Sequence, residues 1–166
     1  MARQDEIGIM NAEWHEKNRM PSRTTLRQRT KWHLEHAREC GCRPIPKGVL
    51  ESILKRMDEP DEVREMIKGR FEIANIEGMT IGRATYEPGW KWSEHVGAAL
   101  GQSRCSVEHV GFVVAGTATA GFSDGRVDML EAGKRFYIPP EPHDSWVVGD
   151  KPYVSLHFLG ADRYAK

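Results

Sequence analysis

A chain of 166 residues with 39% hydrophobic and 29% charged side chains can build the core of one ordinary domain, alone or with a small companion, and is not generically disordered. Its 24 basic and 24 acidic residues leave a formal charge of zero, which argues against non-specific binding to nucleic acid or to anionic membrane. No apolar run approaches the length of a membrane span, and the polar start Met1-Ala2-Arg3-Gln4-Asp5-Glu6 does not read as a signal peptide. Three cysteines, an odd count, make a secreted disulfide framework a poor fit, so a cytoplasmic setting is expected.

The pattern divides near Asp58-Glu59-Pro60-Asp61-Glu62 into a helical N-terminal region, 1–60, and a β-rich region, 61–166. Residues 1–60 carry 12 basic and 9 acidic residues and the remainder 12 and 15, an asymmetry too small to name a partner. Thr25 followed by Gln28 is a capping-box signature, which predicts a helix from there to about Glu39, ended by Gly41 and Pro44. A second helix is expected over Lys47 to Arg56, with Val49, Leu50, Ile53 and Leu54 as its apolar stripe. Two short helices bury little alone, so this region must pack on the rest, pair with a second copy, or hold a metal.

The metal option has specific residues. On the first helix His33, His36 and Cys40 fall within about 60° of one another at 100° per residue, and Cys42, just past Gly41, could fold back to complete a His₂Cys₂ zinc site. The same face also carries Leu26 and Ala37, and packing on the β region is the reading placed ahead. Arg23, Arg27, Arg29 and Lys31 form the solvated side, with no interleaved aromatics to suggest a nucleic-acid surface.

Past residue 60, strands are expected over Gly78 to Pro88, Val107 to Phe122, Arg126 to Leu130, Phe136 to Pro139 and Tyr153 to Leu159. Gly111, Gly116 and Gly121 would let the long run bend, and Asp124-Gly125 is a strong hairpin signal. Strands joined by turns without intervening helices imply an antiparallel sandwich or barrel. His95, His109 and His143 punctuate those strands where a small barrel could gather them around one ion. Three neutral imidazoles suit zinc, iron, nickel or copper and leave a coordination position open. Alternation turns His109 inward with Gly111 and Val113, and Trp90, Trp92, Phe112, Tyr137 and Trp146 are candidates for an apolar wall. His157 is weighed as a fourth ligand against an ordinary histidine, and Cys105 as a ligand against a small buried residue. In both cases the plainer reading is preferred. Glu94 and Asp144 adjoin proposed ligands, but adjacent strand residues point to opposite faces, so each is the weaker choice to complete the set.

These residues resemble the cupin superfamily, in particular its small bacterial single-barrel members. Gly116 follows His109 by seven positions, as a glycine follows glutamate in the first cupin motif, so His109 takes the glutamate's place. The family's His-x-His pair falls on Ser93-Glu94-His95, keeping only His95, while Gly133, Pro139 and His143 match the second motif apart from Glu141-Pro142 in its turn. The resemblance covers roughly residues 70 to 160. It implies a mainly β fold, an antiparallel jelly-roll barrel preceded by a small α-helical region, with a divalent metal ion at His95, His109 and His143. It also implies a small-molecule ligand and a homodimer. A metal-dependent enzyme acting on a small organic molecule, a dioxygenase or an isomerase, is the first functional reading. A non-catalytic ligand- or metal-sensing module whose N-terminal helices bind a partner protein is the second.

Overall fold

A computed structural model describes residues 10–166; the polar start Met1 to Glu6 lies outside the described residues. Three helices come first: α1 (Ala12–Lys17), α2 (Leu26–Glu39) and α3 (Lys47–Met57). Nine strands follow: β1 (Glu62–Met66), β2 (Gly69–Ile76), β3 (Met79–Tyr86), β4 (His109–Ala115), β5 (Thr117–Phe122), β6 (Val127–Glu131), β7 (Arg135–Ile138), β8 (His143–Val147) and β9 (Tyr153–Leu159). Between β3 and β4 lie a π-helical turn, Ser93–Gly97, and one turn of α-helix, Ala98–Leu100. No helix among the described residues is long and apolar enough to cross a membrane.

The strands form two antiparallel sheets, six strands in the order β1-β2-β3-β9-β4-β7 and three in the order β6-β5-β8. This is the jelly-roll arrangement of two facing sheets. Phe71, Ala84, Val113, Phe136 and Tyr153 from the larger sheet meet Ala118, Ala120, Phe122 and Val147 from the smaller one to make the barrel core. A second core lies on the other side of the larger sheet, where Leu34, Ala37, Val49, Ile53 and Met57 of the helices cover Ala74, Ile81, Val110, Leu156 and Phe158.

The larger sheet is thus buried on both faces, and its strands split their side chains by parity. On β4, His109, Gly111 and Val113 face the barrel while Val110 packs against the helices; on β9, Tyr153, Ser155 and His157 face the barrel while Leu156 and Phe158 face out. The inward orientation expected for His109 follows from this pattern.

Local signals explain the elements. Thr25 caps α2 through a complete capping box with Gln28, and the helix ends at Glu39, with Cys40 already extended. The run expected as one strand from Val107 is two, because Gly116 at φ +75° turns the chain from the larger sheet into the smaller one. At Gly111 the pairing of β4 with β9 shifts register, the kind of irregularity at which a strand bends, and a Cβ there would also lie 2.3 Å from the Phe136 ring. Asp124 and Gly125 close the β5–β6 hairpin, with the Asp124 carboxylate accepting from the Arg126 amide at 3.0 Å. Strands β1, β2 and β8 and helix α1 were not anticipated from the sequence.

Candidate metal centre in the barrel

Cys105 and His143 are brought together by the backbone. Each amide donates to the other's carbonyl at 2.9 Å in an isolated antiparallel bridge, so both side chains enter the barrel from one place. His109 opens β4 next to them, with Cys105 Sγ 3.7 Å from His109 Nε2 and the two imidazole centroids of His109 and His143 5.8 Å apart. One ligand atom from each of Cys105, His109 and His143 lies within 4.8 Å of the others, and each residue is only 2% exposed.

The surroundings orient these groups. His143 Nδ1 donates to the Glu141 carbonyl at 2.8 Å, which fixes the ring and leaves Nε2 as its lone-pair nitrogen. His109 Nδ1 is buried with no hydrogen-bond partner, an unusual cost for a ring nitrogen in a packed interior. His157 stands beside it, centroids 5.3 Å apart, with Nε2 3.1 Å from Ser155 Oγ. It lies outside the group of converging donors. A cavity of about 30 Å³ remains at the centre, walled by Tyr86, Trp90, Trp92, Phe136 and Tyr153.

Burial sets the protonation states. It pushes the Cys105 thiol up to about 11 and holds the His109 and His143 imidazolium forms below their ordinary range. Without a cation the trio is therefore a neutral thiol and two neutral imidazoles. A divalent ion reverses that balance for the thiol, because its charge favours thiolate. One sulfur and two imidazole nitrogens form a donor set suited to zinc, copper, iron or nickel. The residues present fit a metal.

The structure does not bring His95 to this group. Its segment is the helical turn at Ser93–Gly97, and the Lys91 amide donates to His95 Nδ1 at 2.9 Å. Cys105 occupies the third position instead. Asp144 points away from the barrel as strand parity requires, its carboxylate accepting from Ser93 N at 3.0 Å and Ser93 Oγ at 2.8 Å. Glu94 is exposed near Lys91. Of the expected wall, Trp90 and Trp92 line the cavity. Phe112 and Tyr137 pack on the helical side, and Trp146 lines an outer cleft of about 490 Å³ together with Lys91, Arg104 and Phe122.

In the helical region, His36, Cys40 and Cys42 converge, joined by His15 of α1. His33 does not join them; it lies edge-on to Trp32, with Nδ1 buried and unpartnered. Helix periodicity put His33 on the correct face. It could not reveal a donor supplied by another helix.

The places of Gly116 between β4 and β5, Gly133 between β6 and β7, Pro139 after β7 and His143 at the start of β8 agree with the sequence resemblance. The barrel has the two-sheet jelly-roll fold that the resemblance implies. No family model matches the chain, and no curated protein does. Among solved structures, it is similar to an oxalate decarboxylase of Lactobacillus farciminis in complex with formate, with TM-score 0.45 and 19% identity over 63% of this chain and 32% of that one. It is also similar to a point mutant of the Bacillus subtilis oxalate decarboxylase, with TM-score 0.45 and 24% identity over 66% of this chain and 30% of that one. A Rhizobium leguminosarum protein of unknown function has TM-score 0.42 and 19% identity over 54% of this chain and 78% of that one. The chain spans about a third of the length of the oxalate decarboxylases it resembles.

Proposed function

We propose that the barrel binds one divalent transition metal ion through Cys105, His109 and His143 and serves as a sensing module for a very small ligand. The observation that carries this reading is the convergence of three buried donors on a cavity of about 30 Å³. That volume holds one or two water-sized molecules, whereas organic ligands occupy pockets of roughly 300 Å³ or more. When bound, the ion supplies Lewis acidity and an open coordination position.

The protein's own groups do the rest. Trp90 stacks on Tyr86 with centroids 3.7 Å apart, and Tyr86 donates to Tyr164 at 2.6 Å, so the centre is walled from bulk water. The Glu141 carbonyl orients His143. His157, held by burial to about 4, stays neutral at pH 7 beside His109. The strands that carry the site also carry the helical layer: Val110, next to His109, packs against the helices, and Arg135 of β7 donates to the Ala37 and Arg38 carbonyls at 2.7 and 3.0 Å. This continuity supports a role in which the helices report the state of the barrel to a partner protein.

A second reading, metal-dependent turnover of a small organic molecule by a dioxygenase- or isomerase-type reaction, is favoured by the outer cleft, which shares Trp90 with the inner cavity. The two readings separate experimentally. Metal-loaded protein is screened for turnover of small organic acids and, in parallel, for metal-dependent capture of a partner by the full chain. Partner capture that Cys105→Ser abolishes, with no turnover, is the expected result; turnover that Cys105→Ser abolishes, without a partner, would overturn the sensing role.

A further inference from the structure

Helix α1 is six residues long and has no buried residue, yet it lies in a defined place against α2. A helix this short does not persist in water by itself. Part of its anchorage is ordinary: Trp14 packs on Trp32 with centroids 5.3 Å apart, and the Trp32 indole N–H donates to the Asn18 carbonyl at 2.6 Å. The other part is a cluster of four metal-binding side chains on three pieces of chain, namely His15 of α1, His36 of α2, and Cys40 and Cys42 of the segment that follows.

The distances in that cluster are those of a coordination shell. His36 Nε2 lies 3.3 Å from Cys42 Sγ, and His15 Nε2 lies 3.4 Å from Cys42 Sγ and 3.6 Å from Cys40 Sγ. A tetrahedral zinc ion with ordinary Zn–S and Zn–N bonds sets its sulfur–nitrogen edges at about 3.6 Å. The Asn11 amide donates to Cys40 Sγ at 3.2 Å, the kind of outer contact that steadies a thiolate ligand. His36 is stacked on Trp32 with centroids 4.9 Å apart and planes 9° from parallel, so its ring direction is fixed before any ion arrives.

We infer that His15, His36, Cys40 and Cys42 form a structural zinc site that fastens α1 to α2, separate from the barrel centre. All four ligands come from the protein, which closes the shell and leaves no position for substrate. The ion links the chain before α2 to the chain after it, as structural zinc does in regions too small for a core of their own.

The test uses full-length protein in a Cys105→Ser background, where the barrel equivalent is removed and only the helical site is counted. Elemental analysis is expected to find one zinc per chain there, none after adding His15→Ala or Cys42→Ser, and one after adding His33→Ala. Retention of zinc in the His15→Ala protein, or its loss in the His33→Ala protein, would overturn the assignment. Because the variants could fail to fold, wild-type protein stripped with a chelator is also titrated with zinc while tryptophan fluorescence is followed. Trp14 and Trp32 flank this site while Trp90 and Trp92 line the barrel cavity, so a saturable change over two equivalents is expected in wild type, of which the His15→Ala protein keeps only the barrel equivalent. A stripped wild-type protein whose fluorescence ignores zinc would equally overturn it. With Cys105 intact, His15→Ala is expected to keep the barrel equivalent, and loss of the barrel metal alone bears only on the proposed function.

Discussion

With Cys105 as the proposed third ligand, the chemistry expected of the barrel changes. A trio of imidazoles would stay neutral, while a thiolate brings a negative charge and a softer donor to the ion. Its position four residues before His109 was visible in the sequence, but a small buried cysteine reads the same way whether or not it is a ligand. What could not be read is the backbone bridge to His143, 38 positions along the chain. His157 provides a test at the same scale. Its folded-state pKa is depressed by burial from 6.5 to about 4, so the unfolded chain binds the proton first as pH falls. In metal-stripped protein the stability it contributes is complete above about pH 6.5 and is lost progressively toward pH 4, on the order of 3 kcal/mol. Urea unfolding of stripped protein at pH 7 and pH 4.5 checks this, and His157→Gln is expected to reduce the difference, the remainder belonging to the other buried histidines such as His109 and His143. Arg135 is another residue whose role is specific. It is half-buried and donates to two carbonyls at the end of α2, so Arg135→Met is expected to cost about 1–3 kcal/mol, measured by denaturant unfolding.

At the scale of elements, the helices α2 and α3 were legible because their signals are local: a cap, an apolar stripe and a stop. Thr25→Ala removes a complete capping box and is expected to lower stability by about 1 kcal/mol, again by denaturant unfolding. Strand β2 alternates Phe71 and Ile73 on the barrel face with Glu72 on the other; the structure satisfies that buried carboxylate with the Arg83 guanidinium at 2.6 Å, a partner on the next strand. Helix α1 was hidden because it has no apolar stripe to reveal it. Its Asn11 cap, Trp14 and His15 were the faint signal. The turn at Gly116 was only partly legible: the glycine marked a bend, not a change of sheet. Gly116→Ala adds a Cβ 2.3 Å from the Pro152 carbonyl oxygen at a left-handed φ, and a loss of about 2 kcal/mol or more is expected from thermal or denaturant unfolding.

Across the whole molecule, the larger sheet is shared by two cores, one inside the barrel and one under the helices. This sharing explains why a boundary at residue 60 is clear in sequence period but not in packing. It also places the two candidate metal sites on opposite sides of one sheet, linked through β7 and its Arg135 contacts with α2. The sequence resemblance captured the barrel because glycine and proline turns have fixed positions in a jelly roll. It named His95, which stands outside the converging donors because the helical turn at Ser93–Gly97 ties its ring to the Lys91 amide. The most direct measurement is the metal content of full-length wild-type, His95→Ala and Cys105→Ser proteins purified without chelator. The expected result is that His95→Ala matches wild type while Cys105→Ser loses one equivalent per chain. Loss of that equivalent in His95→Ala with retention in Cys105→Ser would contradict the proposed centre.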